Sequence, residues 1–285
     1  MGKSETLNSY FTRLNPQHEL FNKLKESNPP WWRFVKKEIQ SGEFYVDIRK
    51  NNSLNIYYNG ASLLKITLSR GNIKGEIHEY YLNQIGSKYV RYELSRLPKE
   101  ADDIKKRIGL RYSDTSENGI KAKLICNPNA NYIDSEFAYP KAIGKKIDKY
   151  GKEVTAYNTT RIDLTKLENE KIVFVELKRI EDNRLLDNKY ENGSPEILSQ
   201  MKAYHLFIAK YKQEITSYYK TLFKIKHKLG VLPQSMSKIE NIDNYELSNQ
   251  VELYIEPYLH LNPRRVQRIN AIRTILDKNH ITHNL

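Results

Sequence analysis

Two acidic residues and a lysine occupy positions from which two neighbouring strands would bring their side chains together. Asp163 precedes Glu176 in the chain, and Lys178 follows directly after Leu177. A polar hairpin through residues 167–171 would turn the chain and place Asp163 beside Glu176. Two carboxylates at one point repel each other, and a hard divalent cation such as Mg²⁺ relieves the repulsion. With a lysine beside the ion to handle a water proton, these residues indicate metal-assisted cleavage of a phosphodiester.

The residues before Glu176 indicate that the acid and the lysine belong to a strand. The run Ile172-Val173-Phe174-Val175 is apolar without alternation, which is typical of a strand buried on both faces. Glu176 and Lys178 are two positions apart, so on a strand they point to the same face. A charged pair that ends a buried strand is unfavourable unless it is paired or functional. The tripeptide alone is weak, since Asp103-Ile104-Lys105 falls in a predicted helix and Asp187-Asn188-Lys189 in a polar loop.

Further polar residues are candidates for the same site. Glu136 lies in a predicted strand at residues 132–139 and would complete a metal shell or orient a water molecule. Asp134 lies on the same strand face and competes for that role, and a solvated acid at a strand end is the alternative for either residue. Gln200 and Tyr204 are four apart on a long predicted helix and share a face. Amphipathic packing is the alternative for Tyr204, whereas the half-buried amide of Gln200 needs hydrogen-bond partners.

The chain divides into two regions of different pattern. Its 285 residues allow one large domain or two modest ones. Four short apolar runs within residues 43–82 predict an antiparallel meander, with Asn59-Gly60 as the strongest hairpin signal. We therefore predict an N-terminal recognition or assembly domain at residues 1–120 and a second domain at 121–285, an α+β or α/β protein overall.

Strands and helices alternate in the predicted second domain. Residues 88–128 before it are predicted to be mostly helical. Strands are predicted at residues 132–139, 160–167, 171–179 and 251–261. A long helix is predicted from residue 194 to residue 230, where Gly230 would end it, and Asn262-Pro263 begins a final basic helix.

Composition limits the classes of function. A formal net charge of +13 and a pI of about 9.4 favour polyanionic partners, nucleic acid first, although a lysine-rich surface also serves solubility alone. Cys126 is the only cysteine, which excludes an internal disulfide framework and a cysteine-rich zinc site and favours a reducing, cytoplasmic setting. No apolar run approaches the ~18 residues of a membrane span, and we expect neither a secretory signal nor a membrane partner.

The order Asp163, Glu176-Leu177-Lys178 and Gln200-x-x-x-Tyr204 resembles that of the PD-(D/E)XK nuclease superfamily. The trailing Gln-x-x-x-Tyr is similar to the RecB-like branch of that family. The resemblance covers roughly residues 130–285. It implies a restriction-endonuclease-like core, a mixed sheet flanked by helices, that works with Mg²⁺ or Mn²⁺.

The same resemblance implies a role for each candidate residue. Lys178 would position or deprotonate the attacking water, and Gln200 and Tyr204 would support the substrate or the active-site geometry. The implied metal ligands are Asp163, Glu176, the carbonyl of Leu177, and Glu136 as the upstream acid.

The implied function is a Mg²⁺-dependent nuclease, with DNA favoured over RNA and a role in defence or restriction. Basic side chains would bind the phosphates: Arg179, Arg184, Lys202, Arg264, Arg265 and Arg268. A homodimer is compatible with cutting two strands, although no residue identifies an interface. The alternatives are a catalytically inactive nucleic-acid-binding protein on a nuclease fold, and an RNase on the same fold, because the metal chemistry acts on the same phosphate.

Overall fold

The computed structural model describes residues 13–49, 51–127, 129–147, 153–187 and 193–285. Residues 188 and 189 of the triplet Asp187-Asn188-Lys189 lie outside these ranges. The described residues form a mixed α+β protein with two sheets. The helices are α1 (Glu19–Ser27), α2 (Pro30–Gln40), α3 (Leu97–Arg111), α4 (Glu117–Cys126), α5 (Glu196–Leu229) and α6 (Pro263–Lys278).

The first sheet is the predicted antiparallel meander with one additional strand. Its five strands, in spatial order, are β1 (Phe44–Ile48), β2 (Leu54–Tyr58), β3 (Ala61–Ser69), β4 (Asn72–His78) and β5 (Tyr89–Tyr92). Asn59 and Gly60 both have positive φ angles, 47° and 75°, as a two-residue hairpin turn requires. The prediction of helix from residue 88 was wrong at its start, because Tyr89-Val90-Arg91-Tyr92 is rich in strand-forming residues and pairs with β4.

The second sheet has the order β6 (Tyr132–Ile147), β7 (Glu153–Glu168), β8 (Lys171–Arg179) and β9 (Glu246–Glu256). The predicted bounds of β8 are confirmed, whereas β6 and β7 are longer than predicted. The prediction of a last strand at residues 251–261 was wrong at both ends. Pro257 has no N–H for a strand ladder, so the strand ends at Glu256. The strand begins at Glu246, upstream of the predicted start.

Strand β8 is buried along its length. Residues 172–178 are buried and only the terminal Lys171 and Arg179 are exposed, which explains the apolar run without alternation. A two-residue turn, Asn169 and Glu170 with φ angles of 48° and 58°, connects β7 to β8. This tight hairpin makes β7 and β8 neighbours and sets their register.

The long helix α5 follows its predicted bounds closely and is interrupted at Tyr211, where φ is −124° and ψ is 20°. Among the described residues, no helix has both the length and the apolar character that a membrane span requires.

Two compact units make up the fold, and each draws on three segments of chain. The first unit contains Met1–Asp134, Lys166–Val173 and Ile208–Asn249, and the second contains Ser135–Thr165, Phe174–Phe207 and Gln250–Leu285. The division into residues 1–120 and 121–285 stays a prediction, since these units are assembled from interleaved segments.

Candidate active site

Asp163 and Glu176 come together in the second unit. Asp163 lies on β7 and its Oδ2 accepts a hydrogen bond from the backbone N–H of Leu177 at 2.9 Å. Leu177 follows Glu176 on β8, so this bond joins the two strands beside the second acid. The negative charge of Asp163 acts on Glu176 and favours its protonated form.

Glu176 is the centre of the hydrogen-bond network. Its side chain is buried, with the residue 3% exposed. Oε1 contacts Nζ of Lys178 and accepts from Nε2 of Gln200 at 2.7 Å, and Oε2 accepts from the hydroxyl of Tyr204 at 2.9 Å. Burial first and Asp163 second raise the pKa of Glu176, while Lys178 and Tyr204 oppose the shift. The carboxyl group is thus held in place and made less acidic.

Lys178 is a buried ammonium beside a buried carboxylate. The residue is 4% exposed, and its Nζ also lies 3.3 Å from the carbonyl oxygen of Leu177. The two-residue spacing on β8 puts Lys178 and Glu176 on one face, as the sequence indicates. A buried charge pair is tolerated when each group is paired and hydrogen-bonded, which is the case here.

The long helix α5 contributes Gln200 and Tyr204 to this network. The Tyr204 oxygen lies 2.5 Å from the carbonyl oxygen of Arg161 and accepts from Gln200 Nε2 at 2.7 Å. Burial and then the charge of Glu176 raise the pKa of Tyr204, so the hydroxyl stays protonated and able to donate. The pair therefore fixes the Glu176 carboxylate from the helix side.

Neither of the two upstream acids joins this pair in a ligand group. Within the described ranges, no set of three or more His, Cys, Asp or Glu side chains is arranged to hold a metal ion. Asp134 was an alternative for the site, but its Oδ2 accepts from the Tyr219 hydroxyl at 3.2 Å within the first unit. Glu136 is exposed and has a φ of 56°, and this left-handed residue breaks the alternation of side chains along β6.

The loop after β8 carries an arginine close to the site. Arg184 binds Asp182 through a fork, with Nε 3.0 Å from Oδ1 and Nη2 2.6 Å from Oδ2. This fork and the charges of Asp182, Glu196 and Glu176 raise the pKa of Arg184, against the effect of burial. Because Glu176 contributes to the shift, the guanidinium lies within the electrostatic reach of the candidate active site. Asp182 was not identified from the sequence, although its position two residues before Arg184 was an available signal.

The other basic residues that are predicted to bind phosphate differ in their exposure and hydrogen bonding. Arg264, Lys202 and Arg179 are exposed, and Arg265 Nη1 donates to the His260 carbonyl at 2.6 Å. Arg268 differs from these residues in its hydrogen bonds to backbone carbonyls of the loop after β8.

The donors of Arg268 are used by backbone carbonyls. Its Nε donates to the carbonyl of Ile180 and its Nη2 to that of Asp182, both at 2.9 Å. These bonds tie α6 to the loop after β8, so the residue holds the segment that presents Arg184. Arg268 therefore has a structural role, and its phosphate contact stays a prediction.

A second polar cluster lies in the first unit and was missed from the sequence. Asp47, Asp134 and Lys226 are buried beside a cavity of about 150 Å³, and Lys226 Nζ lies 3.7 Å from Asp47 Oδ1. Burial first, then the charge of Asp47, raises the pKa of Asp134 to about 7. The signal was an aspartate inside the apolar run of β1 and a lysine on the apolar stripe of α5.

The comparisons with known proteins found no similar protein. No family model matches the chain, and no curated protein or solved structure matches it either. The chemical interpretation therefore rests on the arrangement of the side chains. Two adjacent carboxylates can bind a divalent cation, and an adjacent ammonium can exchange a proton or balance negative charge.

Proposed function

We propose that this protein is a divalent-metal-dependent nuclease with a restriction-endonuclease-like core. The observation that carries the proposal is the convergence on Glu176 of a neighbouring carboxylate, Asp163, and a buried ammonium, Lys178. A purely structural ion pair would not need the second carboxylate, which makes the ionised form of Glu176 less favourable. Active sites are where such unfavourable arrangements are kept.

The residues fit a hard cation with oxygen ligands. A carboxylate has about four lone-pair sites, and Glu176 uses three, for Lys178, Gln200 and Tyr204. Mg²⁺ keeps several waters and needs only one or two carboxylates. Asp163, Glu176 and the carbonyl of Leu177 would hold Mg²⁺ or Mn²⁺, and the ion would polarise the phosphodiester and activate water.

The side chains of the protein supply the remaining chemistry. Lys178 would act through Nζ in one of two ways: as the neutral amine it would take up the water proton, and as the ammonium it would balance the developing negative charge. Gln200 and Tyr204 would keep Glu176 in one orientation. Arg184 would bind a neighbouring phosphate, since its fork with Asp182 leaves Nη1 without a protein acceptor among the described residues.

Charge supports both the substrate class and the need for a cation. The chain carries a formal net charge of +13, which favours association with a polyanion. The carboxylates of Asp163, Glu176, Asp182 and Glu196 outnumber the cations of Lys178 and Arg184. A phosphate approaching this acidic site needs a divalent cation between it and the carboxylates.

DNA as the substrate, action as a homodimer in the cytoplasm and a role in defence or restriction follow from the family resemblance, and are proposed on that ground. A panel of single- and double-stranded DNA and RNA, incubated with Mg²⁺ or Mn²⁺ and with chelator, tests the substrate class and the metal dependence. Metal-dependent cutting of DNA is expected. Cutting confined to RNA would make the protein an RNase, and tight binding without cutting would make it a binding protein.

We predict that Glu176→Gln and Lys178→Met each lower the cleavage rate by about 100-fold or more, since each removes a group in contact with the reacting centre. The rate is measured on the DNA that the wild type cuts best. Matched controls are Glu181→Gln and Lys171→Met, two exposed residues near β8, which should keep wild-type rates. Undiminished cutting by both site variants would overturn the assignment.

A further inference from the structure

The amide of Gln200 leaves one buried oxygen without a donor. Its Nε2 donates to Glu176 Oε1 and to the Tyr204 hydroxyl oxygen, both at 2.7 Å. Its Oε1 is buried and accepts no hydrogen bond from any residue that the structure describes. A buried acceptor without a donor is unfavourable, so this oxygen calls for a partner that is not part of the polypeptide.

Turning the amide round would not remove the mismatch. In the reversed orientation Oε1 would face Glu176 Oε1, which is already the acceptor of the Lys178 ammonium. Two acceptor oxygens would then meet without a proton between them. The nitrogen therefore faces Glu176 for a chemical reason, and the oxygen is the atom left without a donor among the described residues.

This buried oxygen is a ligand of the kind that the two carboxylates lack. Within the described ranges no third His, Cys, Asp or Glu joins Asp163 and Glu176 to hold an ion. An amide oxygen is a neutral, hard ligand of the kind that divalent cations accept beside carboxylates. Gln200 is hydrogen-bonded to one of those carboxylates and presents such an oxygen in the same cluster.

We propose that Oε1 of Gln200 is a ligand of the divalent cation, completing with Asp163 and Glu176 a set of three oxygen-donating side chains. Gln200 then has two roles: its nitrogen orients Glu176 and its oxygen binds the ion. It fills the place that the sequence prediction gives to Glu136. The inference rests on the proposed function for the presence of the ion.

The test measures Mn²⁺ binding by titration calorimetry, without substrate, on the full chain at about pH 8, where carboxylates are ionised. Gln200→Met removes both the oxygen and the nitrogen, and we expect it to weaken Mn²⁺ binding by about tenfold or more. Gln200→Glu keeps an oxygen but has no N–H₂ group, and we expect it to bind Mn²⁺ at least as tightly as the wild type. A role limited to orienting Glu176 would weaken binding in both variants.

Gln213→Met is the matched control, because Gln213 is exposed on the same helix α5. It should bind Mn²⁺ like the wild type, and circular dichroism should give the same helix content for all variants. Equal affinity of the wild type and Gln200→Met, loss of binding in Gln200→Glu, or no binding by the wild type would each overturn the proposal.

The result is separable from the proposed function. If the protein cuts nucleic acid with metal but Gln200→Met binds Mn²⁺ like the wild type, the nuclease proposal is supported and the assignment of Gln200 as a ligand is wrong. If Gln200→Met binds Mn²⁺ more weakly but the protein cuts no nucleic acid, the assignment of Gln200 as a ligand is supported and the nuclease proposal is wrong.

Discussion

At the scale of the residue, Glu176 connects the other charged and polar groups of the candidate site. Its carboxylate meets an ammonium, an amide and a phenol, and it lies in the field of Asp163. Burial and Asp163 raise its pKa, whereas binding a cation requires its charged form. Acidification through this raised pKa should therefore release the metal and stop cleavage.

We predict that Tyr204→Phe moves the acidic limb of the pH–rate profile to higher pH. The Tyr204 hydroxyl donates to Glu176 and lowers its pKa, so removing the hydroxyl lets that pKa rise further. A shift of about one pH unit corresponds to the loss of one hydrogen bond to a charged group. The measurement is the cleavage rate with Mg²⁺ across a pH series.

The control for that shift is Tyr245→Phe, a half-buried tyrosine outside the site, which should leave the profile unchanged. A Tyr204→Phe profile that coincides with the wild type would contradict a hydroxyl contribution to the charge of Glu176.

At the scale of the element, the hairpin between β7 and β8 sets the register that places Asp163 opposite the Leu177 N–H. Its turn residues, Asn169 and Glu170, both adopt left-handed φ angles. Asparagine tolerates this region, whereas a glutamate there pays the clash of its Cβ with the backbone. The register is thus held by a turn that carries an unfavourable residue.

We predict that Glu170→Gly stabilises the protein by about 0.5–1 kcal/mol, since glycine adopts the left-handed region without that clash and the relief exceeds its entropic cost. Thermal or urea unfolding gives the change, and cleavage should be unaffected. Glu168→Gly, at the end of β7, is the control and should destabilise. A lower stability of Glu170→Gly than of the wild type would mean that the glutamate side chain contributes interactions of its own.

Local signals predicted some elements well. The bounds of β8 followed from its apolar run, and those of α5 from its periodic apolar positions and Gly230. The end of β9 was missed although Pro257 marks it, because the strand pattern was extended across the proline. The choice between Asp134 and Glu136 could not be made from alternation, since the left-handed φ of Glu136 interrupts it.

At the scale of the whole molecule, contacts between residues far apart in sequence determine arrangements that local sequence patterns do not predict. Asp47 on β1, Asp134 on β6 and Lys226 on α5 meet in the first unit, and no local spacing predicts that. Likewise, nothing near Arg268 in sequence identifies the carbonyls of the loop after β8 as acceptors for its guanidinium.

The buried cluster makes the stability of the molecule depend on pH. Asp134 has a pKa of about 7 in the folded protein against 3.8 ordinarily, so the folded state holds its proton between these values and the unfolded state does not. Its contribution to stability is therefore complete below pH 3.8 and is lost as the pH rises through about 7. Burial and then the charge of Asp47 raise this pKa, while Lys226 and Arg49 oppose the shift. The Tyr219 hydroxyl also faces this carboxyl and donates a hydrogen bond to it.

We predict that Asp134→Asn, which does not titrate at this position, becomes more stable relative to the wild type as the pH rises from about 5 to about 7. The quantity compared is the free energy of unfolding. The difference should grow by about 1.4 kcal/mol per pH unit at most. Urea unfolding at a series of pH values measures it. Parallel pH dependence of the two proteins would show that Asp134 is ionised throughout.

The interleaving of the two units has a practical meaning for protein engineering. Removing residues 1–120 would take away most of the first unit but leave its other parts exposed on the remainder, namely residues 121–134, Lys166–Val173 and Ile208–Asn249. Such a truncated chain would aggregate for lack of its core, and its inactivity would say nothing about substrate recognition. Point substitutions on the surface of the first sheet are the sound way to ask what that region recognises.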